Sequence, residues 1–240
     1  MRLSRRRVRA IFRKELREYR RTGSIVVAML VIPLVFVINP LVAVFGLSAS
    51  DASSLSHSHA LLYLLGIPAL VPTIVAAYAV VGERRQGTLE PVLTTPIRSE
   101  EFLLGKGLAA FVPSLVVSYV VYAFVLVLIE LFANSGVASA LVKPPELVAQ
   151  LLFTPLLAGW SIWIAMAIST RTSDPRTTQQ LALLAGLPTV VVTTLIAYGV
   201  IPATLGVALA SGAVLLVLNR LGWRMVSALF DRERLVSSTK

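Results

Sequence analysis

Long apolar stretches alternate with short segments rich in lysine and arginine along the whole chain. A helix needs roughly 20 apolar residues to cross the hydrocarbon core of a bilayer. Six stretches reach or approach that length, so the pattern predicts six membrane-spanning helices. Their expected bounds are 24–47, 59–81, 107–132, 147–169, 179–199 and 203–219.

The last two predicted spans are separated by very few residues. Read as one helix, they would run for about forty residues, which is roughly twice the length that a bilayer requires. Pro202 lies between them and removes a backbone donor from any continuous helix. We therefore predict a tight helical hairpin that breaks near Pro202.

The basic residues fall almost entirely on one side of this arrangement. When the connecting segments are sorted alternately, 21 of the 22 lysines and arginines lie on one side and Lys143 alone lies on the other. Segments that stay in the cytoplasm retain lysine and arginine, whereas translocated segments do not. Both termini are therefore expected in the cytoplasm, with a multi-pass chain in the plasma membrane.

The composition mainly excludes other classes of protein and of site. The 240 residues are 56% hydrophobic and only 14% charged, whereas soluble proteins carry roughly 25% charged residues. A soluble domain is therefore excluded, and the absence of cysteine excludes disulfides and thiolate metal sites. The net charge of +10 is concentrated before the first span, where it favours a membrane surface over nucleic acid. We expect one membrane domain over 1–240, made of an interfacial helix at 1–23, a bundle at 24–219 and a tail at 220–240.

The basic segment before the first span is predicted to be an amphipathic helix. Apolar residues recur in it at helical spacing, and arginines and lysines occupy the rest of the circumference. Such a helix lies in the interface between the bilayer and water. The residues that we assign to this interfacial helix are Ile11, Phe12, Lys14, Glu15, Leu16 and Tyr19.

The polar segment between the second and third spans contains apolar residues at regular spacing. Thr88 is a suitable N-cap for a helix that begins at Leu89, and Pro96 ends that helix. Ser99 offers a second cap before Phe102. The pattern therefore predicts two short cytoplasmic helices between these spans.

This segment resembles the corresponding loop of the ABC transporter type 2 permeases. That family has an acidic residue, basic residues, Gly-Thr-Leu-Glu, a leucine-rich turn with proline, and then acidic residues and Gly-Lys. The basic helix with Lys14, Glu15, Leu16 and Arg17, and the six-span layout, extend the resemblance over the chain. The matching loop residues are Glu83, Arg84, Arg85, Gly87, Thr88, Leu89, Glu90, Leu93, Pro96, Glu101, Gly105 and Lys106.

The resemblance implies a permease subunit that forms a translocation pathway, most often for export. It also implies a separate ATP-binding cassette subunit, which binds ATP and Mg²⁺, and a second permease copy or homologue. A coupling helix between the second and third spans would dock on the ATP-binding subunit. The residues that the resemblance assigns to coupling are Glu83, Arg84, Arg85, Gly87, Thr88, Leu89, Glu90, Leu93, Thr94 and Pro96.

No ATP site is expected in the chain itself. Gly105-Lys106-Gly107 looks like the end of a phosphate-binding loop, but that loop requires glycine at position 100 and serine or threonine at 107. Position 100 is Glu100. We therefore expect no cofactor in this chain and ATP hydrolysis in another polypeptide.

A few polar residues remain as candidates for other roles. Glu130 lies inside the third predicted span and is a candidate for the transport pathway, although a position near headgroups or water is favoured. His57 and His59 fall in a predicted outer loop, and we expect no metal site there.

Two alternatives to a permease remain open. One is a small membrane enzyme acting on lipid or peptide, and the other is a non-transporting assembly factor. The enzyme requires convergent polar residues inside the spans. Asn39, Glu130, Gln179 and Gln180 do not form a recognisable set.

Overall fold

The computed structural model describes residues 4–46, 59–85, 87 and 97–229, and no β-strand occurs among them. Nearly all of these residues lie in helices, in agreement with the predicted all-α class. The α-helices are α1 (Arg5–Arg21), α2 (Gly23–Gly46), α3 (Gly66–Arg85), α4 (Ser99–Phe132), α5 (Ser135–Leu141), α6 (Pro144–Arg171), α7 (Pro175–Ala197) and α8 (Leu205–Leu229). A 3₁₀ helix, Ala60–Leu65, leads directly into α3.

Six helical stretches are long and apolar enough to cross a membrane, which confirms the predicted number. The third and sixth extend well beyond the predicted bounds because α4 and α8 continue as helices through flanking polar sequence. The six stretches are Ile25–Gly46, Ala60–Glu83, Ser99–Phe132, Pro144–Arg171, Pro175–Ala197 and Leu205–Leu229.

Two helix boundaries in the structure can be compared directly with those predicted from the sequence. The predicted break near Pro202 is present, since α7 ends at Ala197 and α8 begins at Leu205 after a turn that contains Gly199 at a φ of +73°. The two helices do not form the predicted tight hairpin, because α8 packs mainly on α6 and not on α7. The prediction of a separate short helix from Ser99 is wrong, because α4 is continuous from Ser99 to Phe132. The first predicted short helix, at 89–95, lies outside the described residues.

Helix α3 is the centre of the bundle. In the most apolar 18-residue window of Ala60–Glu83, 89% of the residues are buried, and α3 packs against α2, α4, α6 and α7. Small residues such as Ala69, Ala76 and Ala77 are almost fully buried along it, and small side chains allow neighbouring helices to approach closely. By contrast, α8 lies at the edge of the bundle, where only Leu215, Gly222 and Val226 are buried and most of its apolar side chains are exposed.

Hydroxyl groups satisfy backbone atoms inside this apolar centre. The carbonyl of Ala69 accepts hydrogen bonds from the hydroxyls of Thr73 and Ser161 at 2.9 and 2.8 Å. Lone polar backbone groups are costly where no water is present. Both hydroxyls therefore find an acceptor inside the bundle, and the contact of Ser161 joins α6 to α3.

The bundle has two chemically different ends. Helix α1 packs beside the start of α4, and the end of α3 lies near the end of α6, where Ser169 Oγ accepts from the backbone N–H of Val81 at 3.0 Å. We call this the basic end, because α1 and the flanks of α3, α4, α6 and α8 carry almost all of the arginines and lysines. The short helix α5 lies at the opposite end.

Candidate coupling site at the basic end

A buried lysine joins three helices at the basic end. The side chain of Lys106, on α4, is only 2% exposed, and its Nζ lies 2.7 Å from Glu15 Oε1 and 3.0 Å from Glu83 Oε1. Glu15 lies on α1 and Glu83 on the last turns of α3. Lys14 Nζ also contacts both carboxylates, at 3.3 Å for Glu15. We call Lys14, Glu15, Glu83 and Lys106 the charge cluster.

The charge cluster contains two lysines and two glutamates, so its formal charges balance. Burial of a charge costs several kcal/mol unless it is paired. Burial opposes the charged form of Lys14, but its hydrogen bond to Glu83 and the charges of Glu15, Glu83 and Glu18 outweigh this and raise the pKa of Lys14. Because the folded pKa is raised, the stability that Lys14 contributes is present at neutral pH. It is lost only as the pH rises through that pKa.

The cluster lines a cavity at the basic end. The cavity has a volume of about 140 Å³, and its walls include Glu18, Tyr19 and Tyr78 as well as three of the cluster residues. Burial, together with the negative charge of nearby Glu15, raises the pKa of Tyr19, so its phenol stays protonated. The cavity therefore combines charged and neutral hydrogen-bonding groups beside the junction of α1, α3 and α4.

Glu101 makes a second connection between α1 and α4. Its carboxylate accepts hydrogen bonds from the backbone N–H of Arg98 at 3.2 Å and of Ser4 at 2.8 Å, and it pairs with Arg7 at 3.3 Å. The bond to Arg98 satisfies one of the free N–H groups at the start of α4. The Glu101 carboxylate thus caps the start of α4 and holds the start of α1 against it.

The sequence as a whole matches a known protein family. A family described as ABC-2 family transporter protein matches residues 9–230, which is nearly the whole chain. The chain belongs to the ABC-2 transporter family. A comparison with curated proteins found no match. The family assignment confirms the resemblance drawn from the loop motif, and it makes the chain a multi-pass membrane component of an ABC transporter.

In this ABC-2 protein, the face of α1 that packs on the bundle contains the expected apolar residues and also a buried glutamate. Ile11 and Phe12 pack against the core, as expected of apolar positions. The most buried residues of α1 are Glu15 and Tyr19, although a glutamate is unusual on a buried face. Lys106 explains its position, because it supplies the opposite charge from α4. Contact of α1 with lipid stays a prediction.

Gly105 allows α1 to lie this close to α4. A Cβ atom at position 105 would lie 2.7 Å from Cβ and Cγ2 of Ile11 and 3.3 Å from the carbonyl oxygen of Val8. These atoms belong to the backbone or lie next to it, so they have little freedom to move away. The glycine of the Gly-Lys pair therefore has a packing role, and the lysine after it completes the charge cluster.

We expect Gly105→Ala to displace α1 and to destabilise the ABC-2 protein by about 1–3 kcal/mol, as overpacking does elsewhere. The measurement is the unfolding midpoint in nanodiscs, combined with the rate of trypsin cleavage within α1. Gly82→Ala is the matched control, because its new Cβ would lie 3.9 Å from Tyr78 Cβ. Equal cleavage rates for Gly105→Ala and the control would contradict the proposed close packing.

The structure describes only part of the segment that is predicted to couple to an ATP-binding subunit. Glu83 belongs to the cluster and is buried, whereas Gly87 is exposed and adopts a φ of +68°, a region that favours glycine. Arg84 and Arg85 end α3, but their side chains lie outside the described part of the chain. The predicted coupling residues outside the described residues are Thr88, Leu89, Glu90, Leu93, Thr94 and Pro96.

The other candidates from the sequence are dispersed. Glu130 lies near the end of α4, and its side chain is exposed on the outside of the bundle. Asn39 Nδ2 donates to the Tyr198 hydroxyl at 2.8 Å, whereas Gln180 is exposed on α7. The structure brings none of these three residues together.

Sequence reasoning missed a polar group at the opposite end. His59 Nδ1 lies 2.8 Å from Glu146 Oε1, and Lys143 Nζ lies 3.7 Å from the same oxygen. Glu146 is buried because α6 begins at Pro144, three residues before the predicted span. His57 lies outside the described residues. Within the described ranges, no group of three His, Cys, Asp or Glu residues is placed to hold a metal ion.

Proposed function

We propose that this protein is the permease subunit of an ABC exporter that is driven by a separate ATP-binding subunit. The observation that carries the proposal is the charge cluster, which connects α1 to the two helices on either side of the connecting segment 86–96, where most of the predicted coupling residues lie. That segment follows Glu83 by three residues and precedes Lys106 by ten. A force applied to the segment therefore reaches three helices at once.

The charge cluster suits the transmission of such a force. A pair of buried opposite charges resists separation, because each charge would be left without compensation. The second connection, through Glu101, holds α1 to α4 one turn from the segment. Movement of the segment would thus move α1, the end of α3 and the start of α4 together. The other spans, which lack these contacts, would change position relative to this unit.

The ATP-binding subunit would supply the chemistry. It would bind ATP and Mg²⁺, and closure of two such subunits around ATP would pull on the two coupling segments. Leu89 and Leu93 are the apolar residues suited to a groove on that partner, and Arg84 and Arg85 would orient it through charge. No covalent step is assigned to the permease chain.

A complete pathway requires a second permease chain. We propose a homodimer or a pair of related permeases, with the pathway between them. The six spans then contribute half of it, and exposed apolar faces, such as those of α2 and α8, are available for lipid and for the second chain. Export is the proposed direction, and the plasma membrane is the proposed location.

The proposal requires the basic end to face the cytoplasm, because ATP-binding subunits act there. The chain contains no cysteine, so a single introduced cysteine is the only residue of the protein that a maleimide will label. Glu100→Cys lies beside the coupling segment, and Ser135→Cys lies in α5 at the opposite end; both positions are exposed. In intact cells, we expect a membrane-impermeant maleimide to label Ser135→Cys and to spare Glu100→Cys.

Permeabilised cells provide the control for this labelling, since both cysteines should then react. Labelling of Glu100→Cys from outside intact cells would place the coupling segment on the wrong side of the membrane. That result would overturn the proposed function.

A further inference from the structure

Three polar side chains lie on one face of α6 in the half of the bundle away from the charge cluster. Glu146, Gln150 and Thr154 are four residues apart, so they line a single side of the helix. All three are buried, and Gln150 is 0% exposed. With a rise of 1.5 Å per residue, Gln150 lies about 9 Å along the helix from Pro144. The group therefore lies inside the span and close to one end of it.

Several atoms of this group have no hydrogen-bond partner within the described part of the chain. They are Glu146 Oε2, both amide atoms of Gln150 and the hydroxyl of Thr154, and the buried hydroxyl of Tyr122, on α4, shares the same lack. Buried polar groups are normally hydrogen-bonded, and an unmade bond costs free energy. Four buried side chains on α4 and α6 therefore have polar atoms whose partner the described residues do not supply.

The charge of Glu146 is already compensated. His59 and Lys143 both approach Oε1, and the backbone N–H of His59 donates to the carbonyl of Ala197 at 2.9 Å, which fixes the histidine in place. A cation would have to compete with Lys143 for the carboxylate. An anion would be repelled by the carboxylate itself. The remaining atoms are therefore suited to an uncharged ligand.

The free atoms include both donors and acceptors. Glu146 Oε2 and Gln150 Oε1 accept hydrogen bonds, Gln150 Nε2 donates them, and the Tyr122 hydroxyl does either. A hydroxyl group has this dual character, whereas an acyl chain has no hydrogen-bonding group at all. A ligand with several hydroxyls satisfies more of these atoms than a single hydroxyl does.

We propose that Tyr122, Glu146 and Gln150 form a binding site for an uncharged, hydroxyl-bearing group of the transported molecule, such as a sugar or polyol headgroup. The assignment to a transported molecule rests on the proposed function. The site is closed in this conformation, because its polar atoms are buried, and a ligand enters when α4 and α6 separate. Internal water shares the same hydrogen-bonding chemistry, so the test has to distinguish the two sources.

The test uses the full chain in nanodiscs and two probes with the same alkyl chain, radiolabelled decyl glucoside and decyl phosphocholine. Binding is measured as the saturable excess over empty nanodiscs. We expect saturable binding of the neutral glucoside and none of the zwitterionic phosphocholine. Loss of one hydrogen bond weakens binding about fivefold, and loss of two weakens it more than tenfold.

Two variants and one matched control locate the binding. Gln150→Leu removes two of the free atoms and is expected to weaken glucoside binding more than about tenfold, and Tyr122→Phe about fivefold. Tyr119→Phe is the control on the same helix, because the Tyr119 hydroxyl already donates to the carbonyl of Leu151 at 3.1 Å. Its affinity for the glucoside should stay within twofold of the native value.

Unfolding temperatures of the ligand-free variants separate a ligand site from a water site. Removal of unpaired polar atoms should leave the unfolding temperature of Gln150→Leu and Tyr122→Phe unchanged or higher. A fall in both temperatures would identify bridging water as the occupant and overturn the proposal. So would the absence of saturable glucoside binding, or equal binding by the native protein and Gln150→Leu. The assay contains no ATP-binding subunit, so its failure would leave the coupling proposal standing.

Discussion

Lys106→Met is expected to destabilise the protein by about 3–5 kcal/mol, because it leaves buried carboxylates without their buried counter-charge. Methionine retains an unbranched chain of similar size, so the loss comes mainly from the charge. Glu15 and Glu83 would then depend on Lys14, whose side chain is half exposed. The measurement is the free energy of unfolding in nanodiscs or mixed micelles, from a denaturant titration that is reversible.

Lys14→Met is the matched control, since it removes the exposed lysine of the same cluster. Exposed ion pairs contribute about 0–1 kcal/mol, so the control should cost far less than Lys106→Met. Glu83→Gln in the Lys106→Met background should recover part of the loss, because it removes one uncompensated charge, and the two effects should not add. If Lys106→Met and Lys14→Met cost the same, the buried cluster would not hold these helices together.

The second large effect is expected at the interface with the ATP-binding subunit. Leu89→Asp places a charge where an apolar side chain is proposed to enter a groove, and the loss of such a central residue costs about 2 kcal/mol or more, or roughly thirtyfold in affinity. Affinity for the purified ATP-binding subunit is the quantity to measure. The unfolding free energy of the permease should stay close to the native value.

Ser135→Asp serves as the control for this experiment, since Ser135 is exposed at the opposite end of the bundle. It adds the same charge without touching the proposed interface and should bind the ATP-binding subunit normally. Glu83 is a poor probe of docking, because its burial means that substitution disturbs α1 and α4 as well. Native affinity in Leu89→Asp would remove Leu89 from the docking surface.

The pattern of apolar stretches predicted most of the fold, because it reports directly on what a bilayer requires. Each span needs a minimum apolar length, so the six helices and the break near Pro202 followed from the sequence. Polar contacts between helices produce no such regular pattern in the sequence. The pairing of Glu15 with Lys106 joins residues 91 positions apart, and neither residue type signals it alone.

The polar group at the opposite end was missed for a related reason. The predicted span began at 147, which placed Glu146 in a loop, whereas α6 begins at Pro144 and carries Glu146 into the bundle. The four-residue spacing of Glu146, Gln150 and Thr154 was a usable signal. It indicates one polar helix face once the helix start is known, and a proline followed by a second proline is a common helix start.

The most direct test of the central claim is the composition of the purified complex. The permease would be co-expressed with a candidate ATP-binding cassette subunit and isolated in nanodiscs, where the subunit ratio and ATP hydrolysis would be measured. We expect equal numbers of permease and ATP-binding chains in the purified complex. ATP hydrolysis should co-purify with the native permease and with Ser135→Asp but not with Leu89→Asp. A native permease that is fully folded but purifies without any ATP-binding subunit would contradict the central claim.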